Sequence, residues 1–228
     1  MRNIILLHGA LGSASDLENL ELVLNGLNFE VHQLTFSGHG SVPFQKEFGI
    51  NQFVNELEDY VLSHKLRNCS AFGYSMGGYV ALVLAAKNRG LLGKIITLGT
   101  KFNWTADNIE REKSACHSPT LLLKQPAFAE SLRLAHGDWE QLVEKTSDMI
   151  GCFLRENFLN PQALEQISIP VLLCLGENDK MVTREETEAV WQKLPNSDYL
   201  LIPEAKHQLQ TTNMQVLGSA IQNFVFST

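Results

Sequence analysis

The chain has 228 residues, enough for one domain with an insertion, or two small ones, around a substantial core. It is 44% hydrophobic and 19% charged, with a formal net charge of −7, the balance of an ordinary globular protein. Net acidity with no clustered Lys and Arg argues against nucleic acid or an anionic membrane surface as a main partner.

Near the start, Asn3-Ile4-Ile5-Leu6-Leu7-His8-Gly9 is an apolar run too short for a signal peptide or a membrane span. It predicts a first strand over Ile4–Leu7. Ser13-x-x-Asp16, a capping box with Asp in place of Glu or Gln, then opens a helix over Ala14–Leu27. A strand at Glu30–Phe36, a helix at Ile50–Leu66, a strand at Cys69–Tyr74, a helix at Met76–Asn88 and a strand at Lys94–Gly99 follow. The chain closes with strand Val171–Leu175, helix Arg184–Leu194, strand Tyr199–Ile202 and helix Thr212–Phe226. The strands show little polar alternation, which predicts burial on both faces and hence a parallel sheet. The βαβα order makes this a doubly wound α/β domain.

Lys101–Ser168 breaks the alternation, with helical patterns and no convincing strand. A structureless loop of that length is improbable in a compact domain, so the segment reads as a helical insertion. Trp139, Leu142, Val143, Thr146, Ile150, Phe153 and Leu154 fall on one helical stripe. The core domain is then 1–100 with 169–228, and the insertion 101–168. The four cysteines, Cys69, Cys116, Cys152 and Cys174, form no CxxC pair, and two sit in predicted core strands. This usage predicts a reducing compartment, the cytoplasm.

Four short runs carry chemistry. Gly73-Tyr74-Ser75-Met76-Gly77-Gly78 joins a strand to a helix through a single residue, which forces Ser75 into a strained conformation above the sheet. Flanking glycines remove the Cβ atoms that would collide in so tight a turn, and the helix N-terminus beneath favours developing negative charge. His8-Gly9-Ala10-Leu11-Gly12-Ser13 also leads from a strand to a helix. Its glycines let a backbone N–H approach a substrate oxygen, so Ala10 and Met76 are the candidate oxyanion-hole donors. Leu175-Gly176-Glu177-Asn178-Asp179 and Pro203-Glu204-Ala205-Lys206-His207 each follow a strand, in the order Ser, acid, His. The residues alone leave Glu177 and Glu204 as rival acids. His8 reads as a loop tether, His39 as a turn residue, and His32, His64, His117 and His136 as solvated or locally satisfied.

Taken together, these motifs resemble the α/β-hydrolase superfamily over the whole chain apart from the insertion. The G-E-x-D and A-x-H forms are similar to its compact esterases, C–C hydrolases and lyases. Ser37-Gly38-His39-Gly40 resembles that family's P-G-H-G turn, with Ser37 where proline is usual. The resemblance implies a Ser75–His207–Asp179 triad, a sheet of about six strands and a lid at Lys101–Ser168. It implies acyl transfer on a small or medium, mainly apolar carboxylic ester, with no metal or organic cofactor. C–C bond hydrolysis, lyase chemistry or slow ligand reception on the same triad are the alternatives. Leu11, Tyr74, Trp104 and Phe153 are candidate pocket residues. The expected partner is a small ester-like molecule, with oligomeric state left open.

Overall fold

The computed structural model describes residues 1–88 and 90–227. Among them, six strands form one sheet: β1 (Arg2–Leu7), β2 (Phe29–Leu34), β3 (Cys69–Tyr74), β4 (Leu92–Leu98), β5 (Val171–Gly176) and β6 (Ser197–Ile202). Their order is β2-β1-β3-β4-β5-β6, and every neighbouring pair is parallel. This is the doubly wound α/β architecture that the strand–helix alternation predicts.

Successive strand residues feed opposite cores, as the pleat requires. Ile5, Leu7, Ala71, Ile95 and Leu173 face α2 (Ile50–Ser63) and α3 (Met76–Lys87). Ile4, Leu6, Phe72, Ile96 and Leu172 face α1 (Glu18–Asn25) and α10 (Met214–Phe226). Helix α3 is buried from Met76 to Ala85, which is why its sequence is apolar on every side rather than striped. The chain leaves β1 in one direction, toward β2, and resumes on the other side with β3. The loops after β1 and β3 therefore diverge and leave a crevice at the carboxyl edge.

Several boundaries differ from the sequence pattern by up to three residues, and side-chain bonds explain two of them. The strand expected to run to Phe36 stops at Leu34, because the Phe36 N–H turns away and donates to the His8 ring at 3.1 Å. The first helix is split into a 3-10 turn at Ala14–Leu17 and α1, with the Asp16 carboxylate accepting the Ser13 N–H at 2.9 Å.

Between β4 and β5 lie five helices: α4 (Ala106–Ala115), α5 (Ser118–Lys124), α6 (Pro126–Ala135), α7 (Trp139–Cys152) and α8 (Pro161–Glu165). Side-chain caps start three of them, with Thr105, Asp138 and Asn160 accepting the N–H groups of Asn108, Gln141 and Ala163. The α7 stripe buries Leu142, Val143, Thr146 and Ile150, joined by Met149, while Leu154 is 60% exposed. Helix α7 has ended by then, so the helical period no longer applies to Leu154. Helix α9 (Arg184–Trp191) completes the core before β6. No helix among the described residues is long and apolar enough to cross a membrane.

Candidate active site

The sharp turn from β3 to α3 places Ser75 at φ 50, ψ −112, a conformation rare for any residue but glycine. Close packing enforces it. A Cβ on Gly73 would meet the Gly78 backbone nitrogen at 2.2 Å, and one on Gly77 would meet the Leu7 carbonyl oxygen at 2.4 Å. The Ser75 N–H donates to the Leu98 carbonyl at 2.8 Å, and the Thr100 hydroxyl donates to the Ser75 carbonyl at 3.0 Å. The elbow is thus bonded to the end of β4 on one side and pressed against the end of β1 on the other. Strain of this kind persists only where the surroundings over-determine it.

The next residue of β4's exit, Gly99, links the elbow to the other two motifs. Its Cα faces the pair formed by Asp179, after β5, and His207, after β6: a Cβ there would lie 3.3 Å from both Asp179 Oδ2 and His207 Nδ1. Those two atoms are 2.9 Å apart, and the Asp179 side chain is only 2% exposed. Its other oxygen, Oδ1, accepts the N–H groups of Met181 at 2.8 Å and Val182 at 2.9 Å. Burial pushes the Asp179 carboxyl upward, but the hydrogen bond and charge of His207, with the two backbone donors, outweigh it and hold the group below its ordinary value. An ionised Asp179 fixes the proton of His207 on Nδ1 and leaves Nε2 free to accept.

The other two carboxylates lie in different surroundings. Glu177 is exposed and its carboxylate accepts the Glu204 N–H at 3.1 Å, while Glu204 is itself exposed at φ 60. Among the described residues it is Asp179, not these, that bonds the His207 ring. The buried thiols Cys69 and Cys174 are pushed up to about 12 by burial, so they are not nucleophiles.

Over the elbow runs the loop after β1. A Cβ on Gly9 would meet the Tyr74 ring at 2.9 Å and Ser75 Cβ at 3.4 Å, so its backbone lies directly against the elbow. Met76 is the first residue of α3 and has no carbonyl one turn back to receive its N–H. Ala10 is exposed, and its N–H has no backbone acceptor among the described residues. The neighbouring polar groups are occupied. His8 Nδ1–H donates to the Gly9 carbonyl at 2.8 Å, which also receives the Gly12 N–H at 3.1 Å. Leu11 sits at φ 58.

Of the candidate pocket residues, Tyr74 donates its hydroxyl to the His207 carbonyl at 3.0 Å and so ties the loop of His207 to the elbow. Trp104 and Phe153 stack on each other with centroids 4.3 Å apart, and Phe153 meets Tyr79 edge-on at 5.2 Å. Tyr79 lies one turn after Ser75, so this stack reaches the elbow through the nucleophile helix. Phe153 also lines an open cavity of about 360 Å³, together with Phe48, Ile50, Met149 and Phe158 and the polar Glu47, Gln52 and Glu156. The expectation for His136 is overturned. It is 4% exposed, its Nε2 lies 3.0 Å from the Leu11 carbonyl, and Gly40 N–H donates to its Nδ1 at 2.8 Å. Sequence spacing carries no signal of these bonds, because their partners are 125 and 96 residues away.

A strained serine between strand and helix, beside a hydrogen-bonded His–Asp pair at the carboxyl edge of a parallel sheet, is the arrangement of a hydrolase fold. A profile of the alpha/beta hydrolase family matches residues 4–215. The chain belongs to that family and is an enzyme of the hydrolase type. Among characterised relatives, serine hydrolase BPHL of Homo sapiens is 28% identical over 238 residues, covering 97% of this chain and 78% of that protein. Ethanol acetyltransferase 1 of Hanseniaspora uvarum is 30% identical over 89 residues, covering 39% of this chain and 27% of that protein. The match thus spans about a quarter of the yeast protein's length. Bromoperoxidase from Bacillus anthracis superposes with a TM-score of 0.80 at 22% identity, covering 99% of this chain and 92% of that one. The 2-hydroxy-6-oxo-6-phenylhexa-2,4-dienoate hydrolase of Rhodococcus sp. superposes at 0.82 with 15% identity, covering 99% and 91%. At such identities the structural likeness speaks for the fold alone.

Proposed function

We propose that the protein is a serine hydrolase that cleaves small or medium, mainly apolar carboxylic esters through an acyl-enzyme. Ser75 attacks the carbonyl as His207 Nε2 takes its proton, with Asp179 holding the imidazole in the required tautomer. The N–H groups of Ala10 and Met76 hold the oxyanion while the ester C–O bond breaks and the alcohol leaves with the proton from His207. Water, giving a proton to His207, then attacks the acyl-enzyme and frees the acid and Ser75. The observation that carries this reading is the 2.9 Å bond from His207 Nδ1 to a buried, doubly supported Asp179, placed against Gly99 beside the strained Ser75.

Residues 101–168 act as the lid over a core of 1–100 and 169–228. The Trp104–Phe153 stack, resting on Tyr79, supports an apolar wall next to the nucleophile helix. An apolar, water-poor site favours uncharged acyl groups over peptides and phosphoesters. The names of the yeast relatives support a second fate for the same acyl-enzyme, transfer to an alcohol in place of water.

A fluorophosphonate label and a p-nitrophenyl ester series test the proposal. Wild type should be labelled and turn over short esters, and Ser75→Ala should do neither while keeping the wild-type melting curve. Labelling retained in Ser75→Ala would overturn the assignment. Adding ethanol to the assay and measuring ester against free acid separates transfer from hydrolysis.

A further inference from the structure

Leu11 is a non-glycine residue held at φ 58, a backbone state that is costly for it, one residue beyond the Ala10 N–H. What holds it comes from the insertion. His136, the residue that ends α6, donates its own N–H to the Leu132 carbonyl and reaches the Leu11 carbonyl with its ring, 3.0 Å from Nε2. The other ring nitrogen accepts the Gly40 N–H at 2.8 Å, so it is bare and the ring proton is on Nε2. One neutral imidazole therefore joins three segments: the loop after β1, the turn after β2 and the insertion.

We propose that His136 is a positioning residue for the oxyanion loop, its neutral ring clamping the Leu11 carbonyl and so fixing the backbone around Ala10. The inference rests on the oxyanion role proposed above for Ala10. Around the ring stand His39, edge-on at 6.2 Å from the turn after β2, His8 from the end of β1, and the Asp16 carboxylate from the 3-10 turn. His8 and His39 are buried and neutral, burial holding His8 down at about 4 and His39 well below the ordinary range. Burial lowers His136 too, against the Leu11 bond and Asp16, which favour its charged form. Protonation in acid would put a second N–H on Nδ1, facing the Gly40 N–H, and break the clamp from that side.

The test compares His136→Ala with His136→Gln, whose amide supplies one donor and one acceptor. In the Ala variant kcat should fall roughly 10- to 100-fold, the scale of a misplaced catalytic group. KM should stay near wild type, and affinity for a trifluoromethyl ketone, which mimics the tetrahedral oxyanion, should fall with kcat. The Gln variant, or millimolar imidazole added to the Ala variant, should restore most of the loss. Wild-type kcat in His136→Ala, or a loss that neither Gln nor imidazole restores and that appears in KM, would overturn the clamp. Hydrogen exchange across Gly9–Ser13 supplies a readout independent of turnover. It should quicken in His136→Ala while β3 stays protected, and an unchanged loop would overturn the proposal. If wild-type Ser75 resists the fluorophosphonate, the proposed function falls, and the exchange result still decides the clamp.

Discussion

Replacing Gly99 with alanine should slow catalysis far more than it destabilises the fold, and Gly90→Ala provides the matched control. Gly99 sits at φ 61 and Gly90 at φ 87, so alanine at either position carries a backbone penalty of roughly 1–2 kcal/mol. For a chain of this size that is a drop in Tm of about 2–8 °C, of similar size in both variants. The surroundings differ. No described residue lies within 4 Å of a Cβ at Gly90, whereas at Gly99 the new methyl would press on Asp179 Oδ2 and His207 Nδ1, both at 3.3 Å. Asp179 cannot withdraw, because its Oδ1 is pinned by Met181 and Val182, so His207 must yield by roughly a few tenths of an ångström. A charge-assisted hydrogen bond contributes about 1.5–3 kcal/mol, and losing part of it costs about fivefold to tenfold in rate. Displacing Nε2 from the Ser75 hydroxyl adds to that, since about 1 Å of misplacement can cost about 100-fold. We expect kcat/KM on p-nitrophenyl acetate to fall roughly 10- to 50-fold in Gly99→Ala and to stay within about twofold in Gly90→Ala. Equal rates in the two variants, at equal Tm loss, would refute the placement of the His–Asp pair against Gly99.

Three other perturbations probe separate parts of the molecule. Asp179→Asn should lower kcat by roughly 10³- to 10⁴-fold through the wrong tautomer, while Glu177→Gln should be nearly silent; the reverse result would move the acid. Because the Asp179 carboxyl is held below its unfolded value, its contribution to stability is present above about pH 4 and is lost as pH falls through the folded value. The Tm gap between wild type and Asp179→Asn should therefore narrow below about pH 4, and a gap that widens there would contradict the sign. Lys101→Met leaves the buried Glu186 carboxylate without its 3.5 Å partner and should cost about 3–5 kcal/mol, measured by urea denaturation; less than about 1 kcal/mol would show that the pair carries little. Phe153→Ala should join the 360 Å³ cavity to the space beside Tyr79 and shift preference toward longer acyl chains, with little change on acetate. An unaltered chain-length profile would remove Phe153 from the pocket wall.

The strands, the elbow and the order Ser75, Asp179, His207 were legible in the sequence because each depends on local pattern. Apolar runs of strand length mark the sheet, and glycines at 73 and 77 mark the sharp turn. Asp179 could be separated from Glu177 only by family resemblance, since two carboxylates two residues apart look alike until one is buried against His207. His136 was illegible for a different reason. A lone histidine after a helix has no partner in its own neighbourhood, and both its bonds are made across the whole fold. The Tyr74 hydroxyl bond is equally invisible in the sequence, because its carbonyl partner lies 133 residues onward. β2 ends before its composition does: Thr35 and Phe36 are strand-like residues, yet the His8 ring takes the Phe36 N–H.

The insertion's position between two hydrogen-bonded neighbours limits how it can be exchanged or shortened. In the parallel register Val171 lies level with Ile95, so the chain that leaves β4 at Leu98 must travel back along the sheet by roughly 10 Å before β5 can begin. Parallel neighbours demand a crossover over one face, and the stretch through α8, which lies against α3, supplies it. Exchanging the insertion at the borders of the strands would therefore remove part of the scaffold with it. The workable seam for chimeras lies at Asn160, upstream of α8: any graft before it must keep a residue that does what His136 does at Leu11 and Gly40, and the helix after it is a rivet of the sheet.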